Sequence, residues 1–209
     1  IGGSVIARKQ RLKKIMEIPY FGRLDFRENG KEENVSPIYI GIHSFYDFTT
    51  QTNLIYDWRA PISGMYYDYE LGNAFYDSPE GRIEGMISLK RQYRIREGKM
   101  EYMIESSLTV HDDILQKELS STTDDKMKNI VATIQREQNL IIRNEDARVL
   151  IIQGVAGSGK NSIVLHRVAY LLDKHKGTLS SNDILIVMPN KIFSSSIPNV
   201  HSQPVSSTH

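Results

Sequence analysis

The chain has 209 residues, enough for one or two domains with cores of their own. Its 40% hydrophobic and 24% charged residues are ordinary for a soluble globular protein, and a formal net charge of +1 excludes a strong global field, so a nucleic-acid partner would have to be held by a local patch. The absence of cysteine excludes a disulfide framework and a thiolate metal site, and no apolar run approaches the roughly 20 residues of a membrane span.

The N-terminus, IGGSVIARKQ, has no signal-peptide pattern and no initiator Met, which suggests a fragment. Ser4 to Ile18 is basic and helix-compatible, with Leu12, Ile15 and Met16 at helical spacing, and reads as the last turns of a longer helix. From Tyr20 to about Val110 the texture is β. Short runs rich in Tyr, Ile and Phe alternate with turn signals at Glu28-Asn29-Gly30, Ser78-Pro79-Glu80-Gly81 and Glu97-Gly98. Arg82 to Arg96 and Lys99 to Leu108 read as a hairpin around Glu97-Gly98, with Lys90, Arg94 and Arg96 on one face of its first strand. These cations could form a nucleic-acid stripe. Cross-strand pairing is the stronger reading, because a two-residue loop sets Arg94 opposite Glu101 and Lys90 opposite Glu105, each pair stabilising by roughly 0.2–1 kcal/mol. Leu54 to Gly72 holds the only Trp. Its Asp57-Trp58-Arg59-Ala60-Pro61 could anchor an interface. The plainer alternative makes Trp58 a core residue, gives Asp57 and Arg59 local polar contacts, and lets Pro61 end a strand. The Tyr-rich run that follows could stack bases, although Tyr is also common in strands.

After His111 the order is helix, helix, strand, loop, helix, strand. Asp124 to Asn144 reads as an amphipathic helix with Met127, Ile130, Val131, Ile134 and Ile141 on one stripe and Asp124 and Asp125 at its positive end. Gln138 shares that stripe, either as a buried backbone contact or as an amide that reads a purine edge. Arg148 to Gln153 has the composition of a buried strand. A glycine loop follows, then a helix from Lys160 to Lys174 with Ile163, Val164, Val168 and Leu171 as its apolar face. Strand, G-x-x-x-x-G-K, helix is the context of a phosphate-binding loop. Gly154, Val155, Ala156, Gly157, Ser158 and Gly159 would turn their N–H groups toward phosphate at a helix N-terminus, and Lys160 would add a point charge. Asn161 stands where a hydroxyl normally binds Mg²⁺. Its carbonyl oxygen is a poorer ligand for a hard, octahedral cation.

Three segments, IQREQNLIIR, RVLIIQGVAGSGKNSIVLHRVAYLL and ILIVMPNKIF, resemble the opening of the first RecA-like domain of UvrD-type superfamily 1 helicases. Upstream, PYFGRLDF, YIGIHSFYD, YDWRAPISGMYYDYELG and GRIEGMISLKRQYRI resemble the RNA-polymerase-associated HelD branch of those helicases. The resemblance runs from Pro19 to about Phe193. It implies an α/β fold in which a helical stub (1–18) and a β-rich antiparallel region (19–110) precede the first part of a RecA-like P-loop NTPase domain (111–193). It implies ATP and Mg²⁺ as cofactors, and single-stranded DNA and RNA polymerase as partners in a bacterial cytoplasm. It assigns Gln138 to adenine, Lys160 to the phosphates as catalytic residue, and Pro189, Asn190 and Lys191 to DNA contact, and it makes Asp57-Trp58-Arg59-Ala60-Pro61 a signature of the branch, which outweighs the plainer alternative. The sequence departs from the family at Asn161, where the family has Thr, and in the uncharged, Ser-rich tail of residues 194–209, which reads as aberrant and disordered. The metal-binding acid, the arginine finger and the second RecA-like domain are not found in the sequence, so this polypeptide is expected to be inactive alone. Two functions fit: an ATP-driven DNA translocase, and a polymerase-remodelling factor in which nucleotide binding is a switch.

Overall fold

The computed structural model describes residues 2–31, 34–105, 134–155 and 158–187. Helix α1 (Gly2–Glu17) leads into seven strands and a short helix: β1 (Gly22–Glu28), β2 (Val35–Gly41), β3 (Phe45–Asp47), β4 (Thr52–Asp57), α2 (Pro61–Asp68), β5 (Gly72–Ser78), β6 (Gly81–Arg96) and β7 (Lys99–Glu105). Helices α3 (Arg136–Arg143) and α4 (Lys160–Lys174) and a 3₁₀ turn (Ser181–Asp183) complete the described elements. The expected helical start is present, but of its three apolar residues only Ile15 is buried, while Leu12 and Met16 face solvent.

The strands form one sheet in the order β3-β4-β2-β1-β6-β5, with β7 also on β6. Every pair is antiparallel except β2 with β4, so the sheet is mixed rather than purely antiparallel. The three turn signals fall between strands. At the β6–β7 turn both Glu97 (φ 51°) and Gly98 (φ 71°) are left-handed, the backbone that a two-residue hairpin needs to match strand twist. One strand assignment is corrected within this region. Pro61 begins α2 instead of ending a strand, and the fixed φ of proline suits a first helical turn. Tyr66 and Tyr67 of that helix are buried in the core, so they are not a surface for stacking bases.

Two bulges decide which charges meet. On β6, Leu89 pairs with Asp25 but Ile87 with Phe26, so Ser88 is an extra residue. The offset carries Lys90 onto the core face opposite the fully buried Leu24. On β7 the register runs Ile95 to Met100 but Arg94 to Tyr102, so Glu101 is the extra residue. The expected Lys90–Glu105 pair is therefore replaced by Arg91–Glu105, at 2.8 Å. The Arg94–Glu101 pair forms as expected, at 2.9 Å. Lys90 donates instead to the Tyr69 carbonyl at 2.8 Å and to Glu70 at 3.3 Å, which removes it from any nucleic-acid stripe.

A single apolar cluster joins the sheet to the later helices. Leu24, Phe26, Ile38, Ile40 and Ile87 from the strands meet Trp58, Met65, Tyr66 and Tyr67 around α2, and Ile142, Ile163 and Tyr170 from α3 and α4. The 16-residue β6 is the spine of the sheet, and Gly85 lets it pass close to β1. A side chain there would meet the Arg27 carbonyl and the Phe26 ring.

Four expectations about the second half are corrected. The long helix of residues 124–144 does not run through Gln135, whose backbone is extended (φ −77°, ψ 161°), and the described helix starts at Arg136. Residues 124–133 lie outside the described residues. Arg148–Gln153 is not a buried strand: it joins no ladder, and Val149 and Ile151 are 80% and 86% exposed. Residues 184–187 of the expected Ile184–Met188 strand behave alike, with Leu185 86% and Val187 83% exposed. A strand is held by its neighbours' hydrogen bonds, and among the described residues neither segment pairs with a strand. Helix α4 has the expected bounds but a rotated face. Ile163, Leu165, His166 and Tyr170 are buried, and Val164 faces outward. The tail and Pro189, Asn190 and Lys191 lie outside the described residues.

Candidate functional site

Helix α4 starts at the end of the glycine loop. Gly159 caps it at φ 78°, ψ 13°, a left-handed conformation that costs glycine little. The first intrahelical bond runs from the Ile163 N–H to the Gly159 carbonyl at 3.0 Å, so the N–H groups of Lys160, Asn161 and Ser162 precede the ladder and point out of the helix end. Lys160 folds its ammonium back onto the loop, donating to the carbonyls of Gly154 (2.7 Å) and Val155 (2.5 Å) and to Ser158 Oγ (3.3 Å). Gly154 lies against Ser158, where a Cβ would come within 2.8 Å of the hydroxyl. Ala156 and Gly157 lie outside the described residues. Helix-end N–H groups that precede the ladder, beside a lysine, form a donor set that suits a phosphate chain. Asn161 is exposed at the helix start.

Gln138 sits in the first turn of α3. Its Oε1 accepts from the Gln135 N–H at 3.1 Å, the reciprocal half of a capping box. That contact explains why the helix begins where it does, and it leaves the amide nitrogen for another partner. Helices α3 and α4 pack against each other. Gln138 and Lys160 therefore both occupy the N-terminal turns of neighbouring helices.

Both helices are held by the Asp57–Ala60 turn. Asp57 carries Arg59 on both carboxylate oxygens, at 2.8 and 2.7 Å, and accepts the Arg59 N–H at 2.9 Å. Ser63 and the Ala60 N–H close the turn on the Asp57 carbonyl. The next three carbonyls all accept from one side chain: Arg143, in the last turn of α3, reaches Trp58 at 2.6 Å, Arg59 at 3.2 Å and Ala60 at 3.4 Å. Asn139, one turn earlier, accepts from Arg143 Nε at 3.0 Å and donates to Asp68 at 2.8 Å. On the α4 side, Trp58 lies edge-on to His166 with ring centroids 5.6 Å apart, and Arg59 reaches Asp173 at 3.6 Å. Arg167 of α4 donates to the Ile141 carbonyl at 2.7 Å, satisfying an orphan group at the end of α3. The plain reading of Asp57-Trp58-Arg59 is thus correct as far as it goes: Trp58 is core and Asp57 and Arg59 pair locally.

Burial tunes the two histidines beside this turn. His43 is pushed down to about 4, by desolvation against the opposing pull of Asp57, with Arg11, Lys14 and Arg59 adding to the depression. Desolvation also lowers His166, against the hydrogen bond from its Nδ1 to the Ser162 carbonyl at 2.7 Å. Its buried Nε2 has no hydrogen-bond partner, which a neutral ring with the proton on Nδ1 tolerates best.

Residues 3–129, more than half of the chain, match the family described as DNA helicase IV HelD, N-terminal domain. The chain belongs to this HelD N-terminal domain family. The family is one of DNA helicases, which makes it an enzyme family. The match covers α1, the whole sheet and the Asp57–Ala60 turn, and it ends before Gln138 and the glycine loop. A search of curated proteins found no match. No described helix is long and apolar enough to cross a membrane.

Sequence reasoning did not single out Arg143, Asn139, Asp68 or His166. Asn139 and Arg143 are four residues apart and so share a helix face, which was the available signal. Their partners lie more than 70 positions earlier in the chain, and nothing local in the sequence points to them.

Proposed function

We propose that the chain is the nucleotide-binding part of a HelD-type helicase, binding ATP with its phosphates at Gly154–Lys160 and its base at Gln138. The observation that carries this reading is the start of α4: left-handed Gly159, three N–H groups ahead of the helix ladder, and the Lys160 ammonium on the loop. Bound ATP would give the phosphate chain as acceptor to those donors, and Lys160 would exchange the loop carbonyls for phosphate oxygens. The segment from α3 to residue 187 is then the opening of a RecA-like domain, with Pro189, Asn190 and Lys191 as contacts to single-stranded DNA. Mg²⁺ would arrive with the nucleotide and neutralise phosphate charge, with Asn161 as its weak protein ligand. RNA polymerase is the proposed protein partner, in a bacterial cytoplasm.

A second reading is a polymerase-remodelling factor in which nucleotide binding acts as a switch. The bonds from Arg143 to the Asp57–Ala60 turn favour it, because they link the sheet directly to the helix that carries Gln138.

Calorimetric titration with Mg-ATP tests the site. Wild type should bind, and Lys160→Ala should lose most of the affinity. Asn161→Thr should tighten Mg-ATP by about 10–100-fold, the worth of one charge-assisted contact, and leave metal-free ATP nearly unchanged. Equal binding by wild type and Lys160→Ala would refute the reading.

A further inference from the structure

We infer that the Asp57–Ala60 turn is a positioning element for the nucleotide site and that Arg143 is the residue through which it acts; the inference rests on the nucleotide reading above. Two helices carry the two ends of that site, α3 with Gln138 and α4 with Lys160. Residues 144–155 between them join no ladder, so no sheet hydrogen bond within that stretch sets one helix against the other. The turn grips both. It takes α3 through three carbonyls on the Arg143 guanidinium, and α4 through Trp58 on His166 and Arg59 on Asp173. The two helices are then tied to each other by Arg167 on the Ile141 carbonyl and by Tyr170 on Glu145, at 2.7 and 2.8 Å.

A ligand that spans both helix starts feels this arrangement, and a ligand that uses only one does not. ATP needs Gln138 and the glycine loop together. Inorganic tripolyphosphate needs only the loop and the start of α4. Loosening the Arg143 contact therefore moves Gln138 relative to Lys160 and costs binding to the base, while the phosphate cradle stays intact. Lys at position 143 keeps the charge but can serve fewer of the three carbonyls, because it lacks the planar fork.

The test is calorimetry on the full chain with Mg²⁺ and either ATP or tripolyphosphate. Arg143→Gln should weaken ATP about tenfold, the size of one lost hydrogen bond to the base, and leave tripolyphosphate unchanged. Arg143→Lys should fall between wild type and Arg143→Gln for ATP. A parallel loss of both ligands, or no loss of either, overturns the inference. If Arg143→Gln melts below the assay temperature, Asp173→Asn replaces it: a selective loss of ATP affinity supports the inference, and any other pattern overturns it. Failure of wild type to bind either ligand, or indifference of both to Lys160→Ala, overturns the nucleotide reading itself and this inference with it.

Discussion

Burial lowers the pKa of both His43 and His166 and holds the two rings neutral. The unfolded chain takes up a proton at each near the ordinary value of 6.5, while the folded chain resists until about 4 at His43. Over that interval the unfolded state binds more protons, so stability rises with pH. The contribution is present in full above about 6.5 and is lost as the pH falls toward 4. Its size at His43 is about 2–3 kcal/mol, with solvent screening allowed for. Urea midpoints at pH 7 and pH 5 should show about half of this loss, because pH 5 lies only part of the way to 4. His43→Gln should flatten the slope, and an unchanged slope would show that His43 is solvated like an ordinary histidine. Lys90 is depressed by burial too, but the carboxylates of Glu70 and Asp68 oppose the shift and keep a cation tolerable in the core.

Among the elements, β6 governs most of the pairing. Its first half carries β5, its middle β1 and its end β7. Such a strand must run close to its neighbours, and it does so at Gly85, where a Cβ would sit 2.2 Å from the Arg27 carbonyl and 2.5 Å from the Phe26 ring. A backbone oxygen cannot swing aside as a side-chain tip can. Gly85→Ala should destabilise the protein by about 1–3 kcal/mol, the usual scale of overpacking. Gly30→Ala has open space but also a left-handed φ of 82°, and serves as the comparison for backbone strain alone. Thermal melts of the two variants check this. A smaller loss for Gly85→Ala than for Gly30→Ala would mean that β1 and β6 can separate at low cost.

For the whole molecule, the arrangement of carboxylates bears on turnover. Only Asp173 and Asp183 follow Lys160 in the 209 residues. Asp173 lies on Arg59, and Asp183 accepts from the Ser180 N–H and hydroxyl at 2.8 and 2.7 Å. Both are engaged in structure. Phosphoryl transfer needs a held metal, an oriented water and a cation on the developing charge, and an arginine finger alone is worth about 10³–10⁵ in rate. This polypeptide should therefore release phosphate from Mg-ATP and single-stranded DNA no faster than its Lys160→Ala variant. Turnover clearly above that control would show that other groups of the chain can supply the acid.

Local chemistry sufficed for much of this. Glycine and polar pairs marked all three hairpin turns, because left-handed backbone selects its residues. The bounds of α4 followed from Gly159, Lys160 and the helical period. Tertiary structure decided the rest. A single-residue bulge at Glu101 exchanged Lys90 for Arg91 as the partner of Glu105, another at Ser88 turned Lys90 to the core, and a bulge leaves no local signature when either register buries an acceptable face. The apolar runs at 148–153 and 184–187 have strand composition but no ladder, because a strand exists only where a neighbour accepts its hydrogen bonds. The role of Arg143 came from three carbonyls in a turn more than 80 residues away, a meeting that depends on how two helices pack against a sheet and that no local pattern of residues encodes.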